Sequence, residues 1–156
     1  MSIRTIPLIA NYLSQFDFKA FGSVIDSNNS SKLPSNVNPE VDVRVLEIKK
    51  CDAILDVLMC NHSSDTLMIP LEPVKYLLPV GPVIPELRSR PFPGTNEIKV
   101  FYSEGIQGFI LKKHVWFADP IVDKTSQWIE ISNSTDLEKR NYSSILKVNF
   151  RLEYPT

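Results

Sequence analysis

The chain has 156 residues, with 17 basic against 18 acidic side chains and a formal net charge of -1. That length fits one domain, residues 1–156, able to bury a core without disulfides or metal. The balanced charge, with no basic run longer than the pairs Lys49-Lys50 and Lys112-Lys113, argues against nucleic acid or an anionic membrane as partner.

The opening, MSIRTIPLIANYLSQ, is interrupted by Arg4, Pro7 and Asn11 and does not read as a signal peptide. No stretch approaches the roughly 20 apolar residues of a membrane span. Cys51 and Cys60 are too few for a disulfide framework and form no CxxC pair. The expectation is a cytoplasmic protein with reduced thiols.

In chain order, residues 11–21 (NYLSQFDFKAF) predict a short helix with Leu13, Phe16, Ala20 and Phe21 on one face, stopped by Gly22. Residues 26–40 carry two prolines and no period, and read as a loop. The period then becomes two. Val41, Val43 and Val45 alternate with Asp42 and Arg44, predicting a half-buried strand. Residues 53–59, 67–71 and 74–80 are further short apolar segments. Seven of the 12 prolines fall between Pro70 and Pro93, so strands there end in edges, bulges and turns. Strand pattern continues over 98–102, 107–111, 114–117 and 128–131. A helical turn is expected over Thr135–Arg140. The last segment alternates from Leu146 through Val148, Phe150, Leu152 and Tyr154, one face dry and one wet. Many short strands without long intervening helices predict a mainly β sandwich or barrel.

Several chemistries are absent. No GxGxxG, GxxxxGK[ST] or GxSxG stretch occurs. The two histidines, His62 and His114, stand too far apart in sequence for the His-rich metal set of barrel oxygenases, and no metal or other cofactor is expected. Cys60 is either half of a Cys–His dyad with His62 or a small buried thiol.

The segment FYSEGIQGFILKKHVWFADP, residues 101–120, places Gly105, Gln107 and Gly108 ahead of Val115, Trp116 and Pro120. Together with Phe18, Phe21, Gly22, Val24 and Ile25 near the start and IPLEPVKYLLPV at 69–80, it resembles the ureidoglycolate lyase family. The resemblance implies a cupin-like β-barrel of the double-stranded β-helix type with a short N-terminal helix, a homodimer, and cleavage of ureidoglycolate to glyoxylate and urea in purine (allantoin) breakdown. A base would take the carbinol proton, an acid would protonate the departing urea nitrogen, and a cation or amide would anchor the carboxylate.

The departures fall on polar positions. Met59, Cys60, Asn61 and Thr66 stand where the family has glutamate, arginine, histidine and glutamine. Phe117 stands where it has histidine, and Ser132 and Asn133 where it has an Asp-Arg pair. The substitutes nearest in sequence are His114 and Asp119 as acid and base, with Gln107, Trp116, Thr66 and Lys112 for a small ureido or 2-hydroxy acid. Gln107 has a second reading as a backbone-satisfying side chain at a glycine-flanked turn. Trp116 has one as core, and His114 one as surface. The alternative function is a catalytically silent cupin-like module for small-molecule binding or protein interaction.

Overall fold

A computed structural model describes residues 4–27, 42–61, 64–85, 92–132 and 142–155, with backbone only for 142–148. The expected loop over 26–40 from Asn28 onward, the turn over Thr135–Arg140 and His62 lie outside the described residues. The molecule is mainly β, a nearly closed cupin-like barrel with one short helix.

Thirteen strands occur among the described residues: β1 (Thr5–Ile9), β2 (Asn11–Tyr12), β3 (Gly22–Ile25), β4 (Asp42–Ile48), β5 (Ile54–Cys60), β6 (Thr66–Pro70), β7 (Tyr76–Gly81), β8 (Lys99–Ser103), β9 (Gly108–Leu111), β10 (Trp116–Phe117), β11 (Ile121–Val122), β12 (Ser126–Ser132) and β13 (Tyr142–Glu153). The larger sheet runs β1-β13-β5-β10-β7-β8-β2, with β11 beside β7. The smaller runs β3-β9-β6-β12-β4.

The two sheets meet across a core in which Tyr76, Leu78, Phe101 and Phe117 face Met68, Phe109 and Trp128. The Tyr76 and Trp128 rings lie edge to face at 4.9 Å. Alternation along the larger sheet sends the remaining side chains outward into a second cluster, which includes Leu58, Cys60, Leu77, Trp116, Phe150 and Leu152. Strands β3 and β9 approach so closely that a Cβ on Gly22 would meet the Ile110 carbonyl oxygen. Only glycine fits there.

The helix expected over 11–21 is one turn, α1 (Gln15–Phe18). Asn11 and Tyr12 instead pair in parallel with Phe101 and Tyr102 on β8. Ser14 caps the turn, its Oγ accepting from the Asp17 amide at 3.2 Å. Phe18 is fully buried against Phe101, while Phe16, expected on the buried face, is 76% exposed. The ladder to β8 outweighs a helical period that only four apolar residues carried.

The expected half-buried strand forms from Asp42 onward as β4, and the valines are not its inward side. Val43 and Val45 point outward. The register of β12 places Arg44 opposite Glu130 and Leu46 opposite Trp128. Trp128 belongs to the core, so its partners in register share that side.

Candidate functional site

The concave face of the smaller sheet is apolar at one end and polar at the other. Along β12, Trp128, Glu130 and Ser132 point inward in turn. Their partners on β6 are Pro70, Met68 and Thr66, and on β4 they are Leu46, Arg44 and Asp42. The polar end therefore gathers Thr66, Ser132 and Asp42 in one row, with Glu130 and Arg44 behind it. From the larger sheet Asn61 joins them, its amide donating to Thr66 Oγ1 at 3.2 Å. Met59 and Phe117, partners in register, close the floor.

Glu130 is 5% exposed. A carboxylate at that depth needs a counter-charge. Arg44 supplies it, with Nη2 at 2.7 Å and Nε at 2.9 Å from Glu130 Oε1. The Arg44 side chain remains 48% accessible, so the pair joins a buried anion to a guanidinium that reaches solvent. Beside it, Asp42 Oδ2 is buried without a hydrogen-bond partner. Among the described residues no group of three His, Cys, Asp or Glu side chains is arranged to hold a metal ion.

The residues singled out in the sequence separate into three places. Thr66, His114 and Lys112 come to the polar end. The His114 amide donates to the Asn61 carbonyl at 2.8 Å, and the Lys113 amide donates to Asp65 Oδ1 at 2.8 Å. His114 is not on a regular strand, as 114–117 had suggested. The Val115 amide returns to the Lys112 carbonyl, closing a turn in which His114 takes φ 73°. A side chain in that left-handed region carries strain of about 1–2 kcal/mol. Lys112 sends its Nζ to the Lys19 carbonyl at 2.9 Å.

Gln107 lies at the opposite end of β9, five residues from Lys112, or about 16 Å along an extended chain. Its Oε1 accepts from Ser103 Oγ at 2.5 Å, and its Nε2 donates to the Leu13 carbonyl and Asp26 Oδ2. Its own carbonyl accepts from the Tyr76 hydroxyl at 2.7 Å. Burial pushes that Tyr76 hydroxyl far up from its ordinary pKa, which keeps it a donor.

Trp116 turns away from the barrel interior into the outer cluster, edge to face with Phe92 at 6.1 Å. Asp119 is exposed on the connection from β10 to β11, which runs along β7 toward Tyr76 and away from the His114 turn. His114 precedes β10 and Asp119 follows it, so the two stand at opposite ends of that strand.

Cys60 pairs in register with Trp116 and faces the same outer cluster. Burial pushes its thiol up to about 12, the opposite of what a nucleophile needs. The residues that sequence reasoning passed over are Asp42, Arg44 and Glu130. The signal available for them was the i, i+2 spacing of Glu130 from Trp128, which puts a carboxylate on the side that carries the indole. No protein-family model and no curated protein sequence matches the chain.

Proposed function

We propose that the polar end of this barrel binds a small ureido or 2-hydroxy acid, and that the protein is a ureidoglycolate lyase-like enzyme with a rebuilt set of charges. The observation that carries this reading is the convergence of Asn61, Thr66, Ser132, Met59 and Phe117 on one end of one concave face. These are the positions that align with the polar residues of the family it resembles. The charges missing from them are offset by neighbours. Glu130, two residues before Ser132 on the same strand face, supplies a carboxylate. Arg44, directly across from it, supplies a guanidinium.

The reaction requires loss of the carbinol proton, formation of the glyoxylate C=O, cleavage of the C–N bond and delivery of a proton to the departing urea. Among the described residues, Asp42, Glu130 and His114 are candidates at this end to carry protons. Losing one such group costs typically 10²–10⁴-fold in rate.

The test is glyoxylate release from ureidoglycolate by pure protein. The reading expects release above the buffer rate, lowered at least about tenfold in Glu130→Gln and in His114→Gly. The glycine keeps the left-handed turn that φ 73° demands, so its loss of rate would report the imidazole rather than the fold. Release at the buffer rate would favour the second reading, a catalytically silent module for small-molecule binding or protein interaction, and the apolar filling of most of the barrel favours the interaction form of it. The homodimer implied by the resemblance belongs to the same proposal. Val43 and Val45, outward on the end strand β4, speak for it, and light-scattering mass in solution measures it.

A further inference from the structure

We infer that Asp42 and Arg44 together select the ligand, reading a small acid that also carries an N–H or O–H donor next to its carboxylate. This inference rests on the proposal that the polar end of the barrel is the binding site.

Asp42 and Arg44 are separated by one residue on β4, so their side chains leave the strand on the same side. Arg44 directs Nε and Nη2 at a single oxygen of Glu130. Among the described residues its guanidinium makes no other hydrogen bond. The Nη1 edge is then the part of the fork left for a ligand carboxylate, which a planar guanidinium binds with directional N–H bonds. For binding, as distinct from any proton transfer, Glu130 is a positioning residue that fixes the plane of the fork.

Asp42 supplies the second half. Its Oδ2 is buried and has no donor. A buried carboxylate oxygen without a partner is costly, and because Asp42 as a residue is only partly buried, a turn of its carboxylate toward the exposed side lets a ligand donor relieve that cost. The charges point the same way. Among the described residues of β4 and β12 at this end, two carboxylates face one guanidinium, an excess of one negative charge that disfavours a bare anion. An acid whose neutral ureido N–H groups, or whose ammonium, meet Asp42 while its carboxylate meets Arg44 satisfies both. A simple monocarboxylate satisfies only Arg44 and places its charge beside an unrelieved Asp42.

Hydantoate (ureidoacetate) is the suitable probe, because it carries the ureido group and the carboxylate but no carbinol hydroxyl. Calorimetric titration of the full chain should give binding to hydantoate at least about tenfold tighter than to acetate, since a charged hydrogen bond separates them. Asp42→Asn should erase most of that preference. Arg44→Gln should weaken hydantoate at least about tenfold, but it also strands Glu130. Arg44→Lys, which keeps a cation beside Glu130 and loses the fork, should therefore show the same weakening with a native far-ultraviolet spectrum and urea midpoint. Glu130→Gln should weaken hydantoate less than Arg44→Lys does. Equal affinity for hydantoate and acetate, or no hydantoate binding at all, overturns the inference. So does hydantoate affinity unchanged in Asp42→Asn and Arg44→Lys.

The lyase proposal fails separately. Hydantoate binding that depends on Asp42 and Arg44 without glyoxylate release would sink the lyase reading and leave this inference standing. Glyoxylate release that ignores both substitutions would do the reverse.

Discussion

Cys60 couples the fold to pH. Its thiol is 1% exposed, and burial raises its pKa from 9.0 to about 12. In the unfolded chain the thiol ionises near its ordinary value, while the folded chain holds the neutral form. Between these values the unfolded state binds fewer protons, so stability is complete below pH 9 and is lost as pH climbs toward 12. The loss approaches about 1.4 kcal/mol per pH unit for one such group. Tyr76 and Tyr102 also have raised values, the latter to about 12 through burial and the neighbouring Glu104, and they add to the loss above pH 10. Of these three groups Cys60 therefore carries the largest share of the loss between pH 9 and 10. Urea midpoints measured across it should fall for the native chain and flatten in Cys60→Ala. A slope unchanged by that substitution would remove Cys60 as the cause. The same burial predicts that a thiol reagent at neutral pH labels exposed Cys51 first.

At the scale of elements, the turn from β8 to β9 is tied by one side chain. Gln107 bridges Ser103, Leu13 and Asp26 and so joins β8 to the segments flanking α1. Gln107→Ala should cost about 2–3 kcal/mol in urea unfolding, because Ser103 and the Leu13 carbonyl lose partners in a largely buried place. The polar end lies beyond the far terminus of β9, so hydantoate affinity should stay within about twofold. A large loss of affinity with unchanged stability would instead return Gln107 to the ligand site. The sequence made the strands and barrel class legible, because alternation and proline placement are local. It did not make the inward face of β4 legible. Val43 and Val45 on one side and Asp42 and Arg44 on the other satisfy the same period, and apolar character pointed to the valines. The choice is made by Glu130, 86 residues away, whose burial requires Arg44 on its own side. The site was hidden for the same reason. Its charged residues lie on β4 and β12, 86 residues apart, and its other members on β6, β10 and the end of β5, so no window of sequence gathers the charges with the rest. His114 was legible as a site residue only through its neighbours, and its left-handed turn was not.

For the whole molecule, closure of the larger sheet depends on its first strand. β1 runs parallel to β13, pairing Thr5–Ile9 with Asn149–Glu153. The Asn149 amide donates to the Arg4 carbonyl and the Ala10 amide to the Glu153 carbonyl, so the ladder is extended at both ends. Ile6 and Leu8 pack onto the outer cluster over Leu55, Phe150 and Leu152. A parallel neighbour contributed from the opposite end of the chain is a long-range contact that nothing local replaces. Deleting residues 1–9 should remove those two side chains and leave β13 as an open edge. Full burial of an aliphatic side chain is worth about 1.5–3 kcal/mol, and these two are partly buried, so the loss should be about 3 kcal/mol with the ladder included. The truncated chain should also self-associate through the exposed edge, detected as a concentration-dependent rise in mass. The polar end is built from β4, β5, β6 and β12 and receives nothing from β1. At urea concentrations where the truncated chain remains folded, its hydantoate affinity should match that of the full chain. A truncation that abolishes binding before it lowers the unfolding midpoint would mean that the outer cluster sets the spacing of the two sheets at the polar end.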